Sequence, residues 1–207
     1  MIFQELIKDN QSDFIKKNSL ISQYMNINEN WIPMVFWLES RLNPKAVNKQ
    51  PGDSDDPYTR SAYRATGLFQ CMPTTAFTLG TTTQQLFNMN SYQQLVYYFK
   101  YVSIYKGQIK TFWDLYMSNF FPAGIGKPDD WIIQATGIPA EIIARQNPGF
   151  DINGDGKISV GEFKTAVMKE LPSAAASFIF SEVKKNKGII VFSILSGLLL
   201  TWLLTSK

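Results

Sequence analysis

Apolar positions recur at three- and four-residue spacing in four stretches, Phe3 to Ile15, Trp31 to Leu38, Leu95 to Ile109 and Trp113 to Phe121. That is the period at which side chains share one face of a helix. No stretch alternates convincingly at the two-residue period of a half-buried strand, so the pattern predicts a mainly α fold. Asn48 to Thr59 (NKQPGDSDDPYT) is rich in Gly, Pro and Asp and reads as a long loop between helices, the kind of segment that often borders a site. After Pro172, the run Ser173 to Ala176 opens another helical stretch that continues through Lys184 as a stalk. Gly188 to Thr205 (GIIVFSILSGLLLTWLLT) carries no charge over 18 residues and is apolar on all faces. Preceded by Lys184, Lys185 and Lys187 and closed by Lys207, it predicts a C-terminal transmembrane helix, with a buried core helix as the alternative. The expected organisation is a helical domain over 1–172, a stalk over 173–187 and a membrane span over 188–205.

Composition narrows the chemistry. The 207 residues, 45% hydrophobic and 18% charged, suit one folded domain with an appendage. Of the 20 Lys and Arg, four flank the apolar tail, leaving 16 against 17 Asp and Glu elsewhere. A body so nearly neutral carries no nucleic-acid footprint. Histidine is absent, which removes Ser-His, Cys-His and His-metal mechanisms together and leaves carboxylates, Tyr, Lys and the single Cys71. One cysteine forms no internal disulfide. Met1 to Asn10 carries Glu5, Lys8 and Asp9 without the long apolar core or cleavage site of a signal peptide, so secretion by a cleaved signal is not expected.

Phe150 to Phe163 reads FDINGDGKISVGEF. A twelve-residue loop beginning at Asp151 puts Asp151, Asn153 and Asp155 at its first, third and fifth places and Gly156 at the sixth. Lys157 offers a carbonyl at the seventh, Ser159 stands at the ninth and Glu162 at the twelfth. This is the ligand pattern of an EF-hand calcium loop. Three carboxylates in one short loop repel one another unless a hard divalent cation offsets the repulsion. With one loop rather than a pair, the expected role for Ca2+ is a structural clip held by Asp151, Asn153, Asp155, Lys157 and Glu162.

Trp31 to Asn43 (WIPMVFWLESRLN) is an apolar helix ending in Glu39-Ser40, where hydrophobic surroundings would raise the Glu39 carboxyl toward the range of a general acid. In Gly67 to Gly80 (GLFQCMPTTAFTLG), Gly67 permits close approach to a ligand, Gln70 donates and accepts toward a sugar amide, and Met72-Pro73 shapes a groove wall. Together these segments resemble the soluble lytic transglycosylase family. The resemblance lies in E-S-x-x-N-P-x-A at Glu39, Ser40, Asn43, Pro44 and Ala46, followed by G-L-x-Q-x-x-P-x-T-A at Gly67, Leu68, Gln70, Pro73, Thr75 and Ala76. A third block, Tyr116 to Pro128, is similar to a variant in phage-encoded members. There Phe121 stands where a tyrosine would steady the catalytic Glu, and Tyr116 is the candidate substitute.

The resemblance implies a lysozyme-like helical domain with one EF-hand calcium loop in addition to the C-terminal transmembrane helix. It implies an enzyme that cleaves peptidoglycan between N-acetylmuramic acid and N-acetylglucosamine, with Glu39 catalytic and Ser40, Gln70, Met72 and Tyr116 contacting substrate. Glu39 would protonate the glycosidic oxygen and then take the proton of the muramic C6 hydroxyl as a 1,6-anhydro ring closes. Asp53, Asp55 and Asp56 keep open a two-carboxylate, lysozyme-like hydrolysis. Tyr58, Tyr63, Tyr97, Tyr98 and Tyr101 are candidates for stacking on sugars or for the core. The Lys-rich flank places the body on the cytoplasmic side of a membrane, away from a wall substrate. A bacterial virus with a lipid membrane reconciles the two: in the virion the body would face the shell and its proteins, ready to open the wall. A bacterial cell-envelope enzyme is the alternative location. The alternatives in function are a non-catalytic virion structural or glycan-binding protein and a membrane-tethered calcium-binding adaptor.

Overall fold

The structure, a computed structural model, describes residues 1–179. The chain divides into two units, Met1–Glu170 and Leu171–Lys207. In the second, residues 173–179 are helical, and the proposed span over 188–205 lies outside the described residues. Among the described residues no helix is long and apolar enough to cross a membrane.

The first unit is mainly helical, and among its described residues only isolated β-bridges occur. α1 spans Gln11–Met25 and α2 Trp31–Ser40. The helix expected from Phe3 does not begin there, because Phe3 and Asn10 both adopt left-handed backbone (φ 60° and 52°) around a single 3-10 turn at Gln4–Leu6. The apolar residues of this arm are buried all the same: Phe3 stacks on Trp37 with ring centroids 4.8 Å apart, and Ile7 is enclosed. Periodicity therefore located buried positions correctly and the helix start wrongly.

α2 is the hub. Trp31 through Phe36 are all buried, as an apolar helix surrounded by others must be. Phe14 of α1 meets Phe36 edge-on, and so does Tyr98 of α6 (Ser91–Val102), with centroids 6.4 and 4.8 Å away. α6 faces inward through Leu95, Tyr98 and Val102. It ends at Val102 in a 3-10 turn, so Ile109, the expected end of this stretch, lies beyond the helix. Between α2 and α6 run three short helices, α3 (Pro57–Ser61), α4 (Pro73–Thr78) and α5 (Thr83–Asn88). Paired side-chain caps fix the starts of α5, α6 and α7 (Phe112–Phe120): Thr82 with Gln85, Asn90 with Gln93, Thr111 with Asp114. Each pair satisfies two backbone N–H groups that a helix start leaves unbonded.

α8 (Ala140–Gln146) leads to the 151–162 loop and α9 (Val160–Glu170). A second aromatic cluster joins α9 to α7. Phe163 stacks on Phe120 at 5.0 Å, meets Phe150 edge-on and lies 5.3 Å from Tyr116. The loop and the helix carrying Tyr116 thus share one packed core.

Candidate active site

Glu39 stands one residue before the end of α2, and the way that helix stops sets its position. Arg41 and Leu42 both adopt left-handed backbone (φ 55° and 57°), with their N–H groups donating to Trp37 O and Phe36 O. Such a conformation costs about 1 kcal/mol or more per non-glycine residue, so the surrounding packing must hold it. Ser40 is buried, and its hydroxyl is shared between Phe36 O and Leu68 O, both at 3.0 Å. It ties the end of α2 to the 67–71 loop, and its polar atom faces protein rather than open space.

That loop is braced by Gln94 of α6. The Gln94 side chain accepts from Leu68 N at 2.7 Å and donates to Pro44 O at 2.7 Å and Leu86 O at 2.8 Å. Gly67 sits at φ 81°, and a Cβ there would collide with Gln94 Oε1, so only glycine fits. Gln70, also left-handed, donates its amide to Gly67 O, leaving its oxygen as the polar atom for a ligand. Met72 is exposed at the start of α4. Cys71 is buried and its thiol is pushed up to about 12 by burial, which excludes it as a nucleophile.

α7 brings two side chains to Glu39. Asn119 Nδ2 donates to Glu39 Oε1 at 2.9 Å, and the Tyr116 hydroxyl hydrogen bonds the same carboxyl. Glu39 keeps some surface open to solvent, yet burial of its carboxyl raises the pKa from 4.5 to about 7, opposed first by the Asn119 bond and then by the Tyr116 bond. Burial and the neighbouring Glu39 charge keep the Tyr116 phenol protonated far beyond neutral pH, so it remains a donor. Phe121, in contrast, lies just past the end of α7. Asn119 was not foreseen. Its signal was present in the sequence: it follows Tyr116 by three residues, the spacing that puts both on one helical face.

The three loop aspartates are occupied elsewhere. Asp53 is held ionised by the Arg64 guanidinium, which donates to both its oxygens, and by Gln50 N. Asp55 pairs with Lys49, and Asp56 caps α3 by accepting from Thr59 and Tyr58 N. Arg60 stitches the same loop through Asn48 O, Ser54 O and Asp55 O. Of the aromatic candidates, Tyr98 is fully buried in the core, whereas Tyr58 and Tyr63 are exposed. Tyr101 stacks on Phe69 at 6.1 Å and donates to Ser118 O.

In the 151–162 loop, Asp151 accepts from Gly154 N and Gly156 N, Asn153 from Asp155 N, and Asp155 from Lys157 N. Glu162 is turned onto Ser159 N and Oγ and onto Asn153 N. The donors are all oxygens, the chemistry a hard cation takes. Among the described residues, however, no three acidic, His or Cys side chains are gathered as a set that would hold a metal ion. Ile158 is buried, and its carbonyl accepts from Ile133 N at 2.8 Å, while Ser159 bridges Ile132. A single segment, 131–133, therefore fills the place beside the loop.

Residues 18–97 match the family model described as Transglycosylase SLT domain, and the helical fold agrees with the lysozyme-like architecture of that family. The match takes in Glu39, the 67–76 block and Gln94, and stops before α7. No curated protein and no solved structure matches the chain.

Proposed function

We propose that this chain is a lytic transglycosylase that cleaves peptidoglycan glycan strands between N-acetylmuramic acid and N-acetylglucosamine, with Glu39 as both acid and base. The observation that carries this reading is the Glu39 carboxyl, raised to about 7 and fixed by Asn119 and Tyr116. A group with that pKa is protonated often enough to give a proton and ionised often enough to take one near neutral pH. With Oε1 accepting from Asn119, the acidic proton belongs on Oε2, from which it passes to the glycosidic oxygen as the bond to C1 breaks. The resulting carboxylate takes the proton of the muramic C6 hydroxyl, whose oxygen bonds C1 and closes the 1,6-anhydro ring. No water enters, and no second carboxylate is needed. The commitment of Asp53, Asp55 and Asp56 to their own loop supports this over two-carboxylate hydrolysis. The Tyr116 bond to Glu39 supports catalysis over a non-catalytic glycan binder, since the phenol absent at Phe121 is supplied from α7. Glu39→Gln should lower cleavage of purified sacculi by at least about a hundredfold, and wild-type products should weigh one water less than hydrolysis products. Free reducing ends would overturn the assignment.

The rest of the proposal has separate support. Ca2+ would be held by Asp151, Asn153, Asp155, the Lys157 carbonyl and Glu162, bracing α9 and through Phe163 the helix that carries Tyr116. The uncharged run 188–205 with its Lys-rich flank supports a membrane anchor. Together with the phage-like third block, it favours a virion membrane over a bacterial envelope and a role in wall penetration. Absence of the chain from the membrane fraction, or from purified virions, would refute these two parts respectively.

A further inference from the structure

From Pro57 to Trp113 the chain carries no Asp or Glu, yet it carries Arg60, Arg64, Lys100, Lys106 and Lys110. The two arginines are engaged in the 48–64 loop, through Asp53 and backbone carbonyls. The three lysines are exposed and form no ion pair among the described residues. Their charge is left facing solvent. Lys100 and Lys106 bracket the end of α6, and large apolar side chains stand exposed around them. Ile104 is 68% exposed and shares with Lys100 a groove of about 480 Å³, lined on its α4 side by Thr75, Thr78 and Leu79. The same α4 carries Phe77, 82% exposed. Lys106 Nζ lies 3.5 Å from the centre of the Tyr24 ring, and Tyr24 meets Phe99, the neighbour of Lys100, edge-on at 5.5 Å. Tyr24 and Leu20, one turn apart on one face of α1, are 53% and 62% exposed. The flanking acids are set apart: Asp13 is about three turns from Tyr24 along α1, and Glu29 lines a different pocket, with Ser19, Ser22 and Gln23.

We infer that this face docks on an anionic lipid bilayer, with Leu20, Tyr24, Phe77 and Ile104 entering the headgroup layer and Lys100 and Lys106 pairing with lipid phosphates. Lysines mixed with outward-standing aliphatic and aromatic side chains make the composition of surfaces that lie in a bilayer interface. The core of a protein–protein interface is instead depleted in Lys. The negative surface of such a bilayer complements lysines that no carboxylate answers. The inference rests on the membrane anchor proposed for the uncharged run 188–205. A tethered body meets its own bilayer at high effective concentration, so two lysines and a few apolar side chains suffice to hold it there. The anchor would keep the chain at the membrane, and this face would fix how the body lies on it.

The test uses the full chain with Ile methyls labelled, reconstituted in nanodiscs of phosphatidylcholine with or without phosphatidylglycerol, a lipid headgroup carrying a paramagnetic chelate. In discs with phosphatidylglycerol the Ile104 methyl should broaden well beyond those of Ile138 and Ile152, which are also exposed. Added salt should reverse the effect. Lys100→Gln with Lys106→Gln should lower the ratio of docked to undocked protein about twentyfold, at about fivefold per lysine, and leave cleavage of soluble glycan strands at the wild-type rate. Equal broadening at all three isoleucines, or broadening indifferent to phosphatidylglycerol, would overturn the inference. Slower cleavage by the double variant with its lipid contact unchanged would give the face to an acidic polymer of the wall and overturn it likewise. So would self-association that the double variant abolishes while its lipid contact stays, since a second copy would then cover the face. A chain that enters neither kind of disc refutes the anchor. Phosphatidylglycerol vesicles added to that chain in solution then decide the face, upheld by broadening at Ile104 and overturned by its absence.

Discussion

Glu39 should cost the folded protein stability above neutral pH, and replacing it should return that stability. Burial raises its pKa from 4.5 to about 7, so the folded state holds the proton more tightly than the unfolded chain. Below pH 4.5 the group is neutral in both states and imposes no penalty. Between 4.5 and 7 the unfolded chain ionises first, and stability falls as pH rises; above 7 the penalty is complete and constant. The shift of two and a half pH units corresponds to a ceiling of about 3 kcal/mol. Because the residue keeps part of its surface in water, screening brings the expected effect nearer about 2 kcal/mol. Glu39→Gln keeps the shape and an acceptor for Asn119 while removing the charge. Urea unfolding of both proteins at pH 4 and at pH 8 isolates the term, since any effect of the amide itself is the same at both. The variant's advantage should be larger at pH 8 than at pH 4 by about 2 kcal/mol. An equal difference at the two pH values would refute a desolvated carboxyl at this position and, with it, the acid assigned to the site.

Asn119→Ala removes the donor that most lowers the Glu39 pKa, so the alkaline limb of kcat/KM, read from a pH-rate profile, should move to higher pH; an unmoved limb would show that Asn119 does not touch the acting carboxyl. Tyr116→Phe should move it the same way by less. Calcium at a hundredfold excess over Kd should stabilise the fold by about 2.7 kcal/mol, read as a rise in Tm that chelator reverses and Glu162→Ala abolishes.

What could be read from the sequence divides along physical lines. α2 was visible because its apolar run and the Glu39-Ser40 that ends it obey one local period, and α7 for the same reason. The first helix was misplaced because periodicity reports burial, and Phe3 and Ile7 are buried in an arm whose backbone turns left-handed at Phe3 and Asn10. α5 and α8 escaped notice as short helices, α5 fixed at its start by the Thr82 and Gln85 caps and α8 carrying only one turn of buried positions, Ala140, Ile143 and Ala144. At the site, Glu39, Gln70 and Met72 stood within contiguous motifs. Ser40 stood there too, yet its hydroxyl proved to be an internal tie. Asn119 meets Glu39 across 80 positions of chain, a distance no local pattern spans. The partners of Asp53, Asp55 and Asp56 were equally invisible, because composition marks a loop as acidic without saying which cations or N–H groups answer it.

Gln94 fastens residues 44, 68 and 86 to one side chain, while the acidic loop over 48–64 is held by its own Arg60 and Arg64. The two motifs that build the site are therefore clamped from behind, independently of the chain that joins them. Such a loop can lengthen, shorten or be exchanged without moving Glu39. An insertion library confined to this segment should thus yield folded proteins that keep the Asn119 bond to Glu39.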